Sequence, residues 1–165
     1  MHFVIGPTGA GKTTYALRLS REIGAIRFSV DEWMSSLFWM DSPDRIEADW
    51  VRERVRRCSK KIWETAVGVA ALGVPCVLEA DFASRSSRFN YTRLANEAGL
   101  SVQLHLLDVP VEERWERVRK RNAESNDGRQ LKFAITREMF DFTEGLWEPP
   151  TDQEMSDHNG VRVTS

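Results

Sequence analysis

Short apolar runs alternate along the chain with longer stretches whose apolar positions recur every three to four residues. Residues 2–5, 25–30, 75–78 and 102–107 are compact runs rich in Val, Ile, Leu and Phe, and they predict strands. Residues 161–164 predict a last, edge strand. Residues 12–23 predict a helix ending at Gly24, a residue suited to the left-handed position after a helix. Ser42 as N-cap and Pro43 at the first helical position predict the start of a long helix. Its stripe of Ile46, Trp50 or Val51, Val55, Cys58, Ile62, Ala66 and Val69 runs to Gly73. Residues 88–98, 110–122 and 136–146 predict three more helices. The least regular segments, 123–132 and 149–160, are expected to be mobile loops. Strands separated by helices imply an α/β chain with a parallel sheet covered on both faces.

Composition narrows the class. The 165 residues are 41% hydrophobic and 29% charged, which suits one globular domain spanning 1–165 and disfavours disorder. With 23 basic and 25 acidic residues there is no positive excess for gripping a nucleic-acid backbone, although basic residues can still gather on one face. Six Trp and 8 Phe exceed what a small core needs, so some are expected to line a pocket. The longest apolar stretch, 67–78, is too short to span a bilayer and is broken by Gly68, Gly73 and Pro75. The first apolar run stops at Gly6 without a basic lead, so no secretory signal is expected. Cys58 and Cys76 match no metal or redox spacing and are expected to be buried hydrophobes in a reducing cytoplasm.

One segment carries specific chemistry. Gly6-Pro7-Thr8-Gly9-Ala10-Gly11-Lys12-Thr13 follows a predicted strand and opens a predicted helix. Its glycines allow successive backbone N–H groups to turn around an anion, and the helix N-terminus adds partial positive charge. From average residue frequencies, a chance match in a chain of this length is on the order of 0.5%. Gly6, Thr8, Gly9, Ala10, Gly11, Lys12, Thr13 and Thr14 are therefore expected to bind the phosphates of ATP. Lys12 would reach the β- and γ-phosphates and the Thr13 hydroxyl would hold Mg²⁺. No Asn-Lys-x-Asp follows a later strand, which disfavours a GTPase, and the length leaves no room for an additional helical domain.

Other strand ends supply acids. Asp31 follows the second strand, where it is either a general base for an acceptor hydroxyl or the cap of a short helix. Glu79 and Asp81 close the third strand. Glu79 is the better aligned for the magnesium side, and Asp81 is the candidate to touch the acceptor. Arg117 and Arg121 share a helix face, as a phosphate clamp or as an ordinary solvated surface.

These residues together resemble the small P-loop kinases of the zeta-toxin-like and polynucleotide-kinase-like group, often labelled AAA family ATPases. The likeness runs through Gly6–Thr13, Ser29-Val30-Asp31-Glu32, the third strand with Arg88 downstream, Leu107-Asp108-Val109-Pro110 and Arg117-x-x-x-Arg121-Asn122, and extends weakly to Phe140–Pro150. It implies a three-layer P-loop kinase fold, with a five-stranded parallel sheet in order 2-3-1-4-5, helices on both faces and a small lid over about 117–134. It also implies transfer of the γ-phosphate of Mg-ATP to a hydroxyl, with Asp31 as base and Arg117 and Arg121 as lid arginines. One departure is Glu79, where such kinases more commonly carry Asp. The aromatic segment after Asp31, with Trp33 and Met34, is either core or an apolar acceptor pocket of the kind expected of a relative of chloramphenicol phosphotransferase. Arg85 and Arg88 either bind an anionic acceptor or brace the sheet. The resulting expectation is a cytoplasmic ATP:alcohol phosphotransferase, monomeric or homodimeric, acting on a small molecule, with no membrane partner and nucleic acid disfavoured. A polynucleotide 5′-hydroxyl kinase and a non-catalytic ATP-binding switch are the alternatives.

Overall fold

The computed structural model describes residues 1–43, 47–124 and 134–164. Five strands, β1 (His2–Ile5), β2 (Ile26–Ser29), β3 (Cys76–Glu79), β4 (Gln103–Leu107) and β5 (Val161–Val163), form one parallel sheet in order β2-β3-β1-β4-β5. That is the order implied by the resemblance. Register sets Phe3 against both Leu78 and Leu104, and Ser29 against Glu79. The central strands are buried on both faces, which explains why they are continuous apolar runs rather than alternating ones.

The pleat divides those runs between two cores. Val4, Val77 and Leu107 pack with Ala16 and Leu19 of α1 (Lys12–Glu22). Phe3, Ile5, Phe28, Cys76, Leu78, Leu104 and Leu106 form the other side. They meet Cys58, Ile62 and Ala66 of α3 (Ala48–Ala71), Ala95 of α4 (Arg85–Glu97) and Met155 of α7 (Asp152–Asp157). A smaller cluster joins α5 (Val111–Glu124) to α6 (Arg137–Gly145) through Val118, Ile135 and Phe140. Both cysteines are buried and unpaired, as expected. No helix among the described residues is long and apolar enough to cross a membrane.

Several boundaries differ from the sequence reading. The second strand stops at Ser29, because Ser29 caps α2 (Val30–Phe38) by accepting the Glu32 N–H at 3.3 Å. The capping role considered for Asp31 thus belongs to Ser29. Ser42 does not start the long helix. Its N–H and hydroxyl both donate to Trp39 O, at 3.3 and 2.8 Å, and close a short 3-10 turn, Trp39–Asp41. The long helix begins at Ala48, and Ile46 lies outside the described residues. The expected loop at 149–160 contains α7, capped by the Thr151 hydroxyl and anchored by Met155. Of the expected loop at 123–132, residues 125–132 lie outside the described residues, as does most of the expected lid beyond 124.

Candidate phosphate-binding site

The glycine-rich loop connects β1, at the centre of the sheet, to α1. Gly11 precedes α1 in the left-handed conformation (φ 91°), and no side chain caps the helix. Among the described residues its first-turn amides have no side-chain cap, unlike those of α2, α4, α6 and α7, which Ser29, Ser84, Thr136 and Thr151 cap. Gly9 is held against α5: a Cβ there would stand 2.6 Å from Arg114 O. Arg114, buried on α5, fixes the loop from behind. It donates to Val109 O at 2.8 Å and Thr8 O at 3.2 Å, and it forms a two-pronged pair with Glu144 of α6 at 2.7 and 2.8 Å. Thr8 also donates its hydroxyl to Thr143 of α6, at 3.0 Å.

Lys12 curls over this loop. Its Nζ donates to Gly6 O at 2.8 Å and Pro7 O at 3.0 Å. Burial holds the Lys12 ammonium below its ordinary value and the Arg114 charge adds to this, while the Asp31 and Glu79 carboxylates pull the other way. A cation beside main-chain amides, with loop carbonyls as its present partners, is a site able to exchange those carbonyls for anionic oxygens. Thr13 donates its hydroxyl to Glu79 Oε2 at 3.0 Å. The other Glu79 oxygen takes the Nε of Arg27 at 2.5 Å. Thr14 is exposed on the outer side of α1.

Asp31 occupies the first turn of α2, exposed, and its charge acts on both Lys12 and Arg121. Burial lowers the Arg121 guanidinium, with Asp31 partly offsetting it, and Arg121 Nη2 is buried without a hydrogen-bond partner among the described residues. Arg117, one turn earlier, donates to Ala10 O at 3.3 Å and pairs with Glu113. The fold thus brings Lys12, Thr13, Glu79, Asp31, Arg117 and Arg121 to one edge of the sheet, where strand C-termini and helix N-termini meet.

The residues suggested for an acceptor divide. Asp81 lines a cleft of about 250 Å³ between the loop and α6, together with Lys12, Phe82, Thr143, Leu146 and Trp147. Trp33 and Met34 do not line it. They are half-buried and packed against the core. Arg88 is withdrawn as well. It is fully buried, paired with Glu154 at 2.5 and 3.1 Å, and donates to Phe82 O, Ala83 O and Glu148 O at 3.0, 3.3 and 2.7 Å. Arg85 is exposed at the start of α4 and does not line the cleft. A second hollow, about 350 Å³ along the exposed side of α1, shares only Thr14 with the expected site.

Sequence reasoning gave no role to Arg27 or Arg114, and it took in Thr143, Leu146 and Trp147 only as part of the resembling segment Phe140–Pro150. None sits in a recognisable local pattern, since each gains its role from a partner far along the chain. Arg114 had one available signal, its place three residues before Arg117 on the same helix.

A phosphate-type loop at the centre of a 2-3-1-4-5 parallel sheet defines the kinase-like class of P-loop α/β domains. Residues 1–146 match the AAA domain family AAA_33, and the chain belongs to that family. Among solved structures, Kti12 from Chaetomium thermophilum, in complex with ADP-AlF3, aligns with a TM-score of 0.69 at 15% identity, over 99% of this chain and 88% of that one. APS kinase CysC of Mycobacterium tuberculosis, with AMPPNP and APS, gives 0.64 at 17% identity, over 99% and 86%. An unliganded sugar kinase from Janibacter sp. HTCC2649 gives 0.63 at 19% identity, over 99% and 83%. At these identities the likeness is one of fold. No curated protein matches the chain in sequence.

Proposed function

We propose that this chain is an ATP-dependent phosphotransferase that moves the γ-phosphate of Mg-ATP to a hydroxyl of a small acceptor. The observation that carries this reading is the convergence of Lys12, the Thr13–Glu79 pair, Asp31 and an Arg121 nitrogen unpartnered among the described residues around the start of α1, which no described side chain caps.

In this reading the loop amides and Lys12 hold the phosphates. Thr13 and Glu79, hydroxyl against carboxylate at 3.0 Å, suit a magnesium ion. Among the described residues no group of three or more His, Cys, Asp or Glu side chains could hold a metal, which fits an ion that arrives with phosphate ligands. Once bound, the ion would offset phosphate charge. Asp31 takes the proton of the acceptor hydroxyl as its oxygen bonds to the γ-phosphorus. The bond from that phosphorus to the β–γ bridging oxygen breaks, leaving ADP. Arg121 and Arg117 balance the charge on the transferring group.

In this reading the cleft beside Lys12 and Asp81 takes the body of the acceptor, and its reacting hydroxyl has to extend past Lys12 to meet Asp31, which does not line the cleft. At about 250 Å³ it lies below the ~300–1,000 Å³ usual for drug-sized ligands. Among the described residues Lys12 is its only lining cation, which favours a small molecule over a polynucleotide held by its backbone. The test is acceptor-stimulated ADP release across a panel of hydroxylated metabolites and antibiotics. Lys12→Ala is expected to lose nucleotide binding and transfer together. Asp31→Asn is expected to keep ATP binding and lose about 10²–10⁴ in transfer rate. Transfer by Asp31→Asn at the parent rate would remove Asp31 as the base. A folded, ATP-binding chain stimulated by no acceptor would point instead to a nucleotide-dependent switch.

A further inference from the structure

Arg27 has no part in the roles assigned above, yet it is wired into them. It lies on the edge strand β2 with its side chain 12% exposed. Its Nε donates to Glu79 Oε1 at 2.5 Å and its Nη1 to Glu32 Oε2 at 2.6 Å. Glu79 is 8% exposed, so its charge requires a nearby cation. Among the described residues two cations are at hand. Arg27 is bonded to it, whereas Lys12 feels its charge but bonds to Gly6 O and Pro7 O instead.

We propose that Arg27 is a positioning residue that holds Glu79 on the Thr13 hydroxyl and off Lys12, keeping the lysine available to phosphate oxygens. The planar guanidinium suits this task, because it grips Glu79 with one nitrogen while another is braced by Glu32 on α2. Without Arg27, the buried Glu79 carboxylate has Lys12 as its next cation. An ion pair between them would occupy the lysine and place a negative charge where phosphate must enter. The inference rests on the nucleotide-binding reading, but it concerns binding alone and needs neither metal nor acceptor.

The experiment is calorimetric titration of ADP in EDTA, with thermal melts to establish that each variant is folded. Arg27→Gln is expected to weaken metal-free ADP binding at least about tenfold. Adding Glu79→Gln to that variant removes the charge that would capture Lys12, and is expected to restore most of the affinity. Arg27→Lys, which keeps the charge but not the fork, is expected to fall between. A merely structural role for Arg27 would not be rescued by Glu79→Gln. Folded Arg27→Gln binding ADP like the parent, or a folded double variant with no recovery, overturns the inference alone. A parent chain that takes up no ADP overturns the nucleotide reading and this inference with it.

Discussion

Replacing Arg88 by Met discriminates sharply between an acceptor-binding arginine and a brace. Met fills much of the same volume but supplies no donors. The change strands the Glu154 carboxylate, whose side chain is 14% exposed, and leaves three main-chain carbonyls, at Phe82, Ala83 and Glu148, without that donor. Removing one partner of a buried ion pair typically costs about 3–5 kcal/mol. For a chain near this size each kcal/mol moves the melting temperature by about 2–4 °C. Arg88→Met should therefore melt about 6–20 °C below the parent in a circular-dichroism scan. Adding Glu154→Gln removes the stranded charge and should recover part of the loss, with the carbonyls accounting for the remainder. Nucleotide affinity measured well below the melt should stay at the parent value, because Arg88 touches no residue of the phosphate loop. A variant that melts with the parent but loses acceptor affinity would refute this reasoning and return Arg88 to the acceptor.

The phosphate loop and the buried histidine pair set two further outcomes. Gly9→Ala puts a methyl 2.6 Å from Arg114 O at φ 80°, so it should lose at least about 1–2 kcal/mol from the backbone alone, read in a denaturant melt, together with nucleotide affinity. His105 is 4% exposed, with Nε2 3.0 Å from His2 Nδ1 and Nδ1 2.8 Å from the Tyr15 hydroxyl. Burial first, then the His2 charge, lowers it to about 4 from 6.5. The folded state thus binds fewer protons than the unfolded chain across that window. Stability should be intact above pH 6.5 and fall toward pH 4, with a slope of up to about 1.4 kcal/mol per pH unit for each excess proton. His105→Gln should flatten that slope, and an unchanged slope would show that the pair does not titrate this way.

The fold was largely legible because its signals are local. Apolar runs such as 75–78 had to be buried on both faces, and a strand followed by Gly6–Thr13 and a helix has one natural outcome. Element ends were less legible, because competing hydroxyls decide them. Ser42 has the sequence of a helix cap yet closes a turn on Trp39, and Ser29 ends a strand by capping α2. In the site, the loop, Lys12, Thr13 and Glu79 stand together as their spacing suggested.

The sequence by itself determined the phosphate-type loop, the alternation of strands and helices, and the acids and arginines available to the sheet edge, since each depends on neighbours within a few residues. Only the tertiary structure decided which of those groups are free to act. It closed Arg88 on Glu154, tied Glu79 to Arg27 as well as Thr13, and built a cleft from Asp81, Leu146 and Trp147. A buried charge is governed by whichever partner the fold carries to within 3 Å of it, and that partner lies 66 positions away for Arg88 and 52 for Arg27.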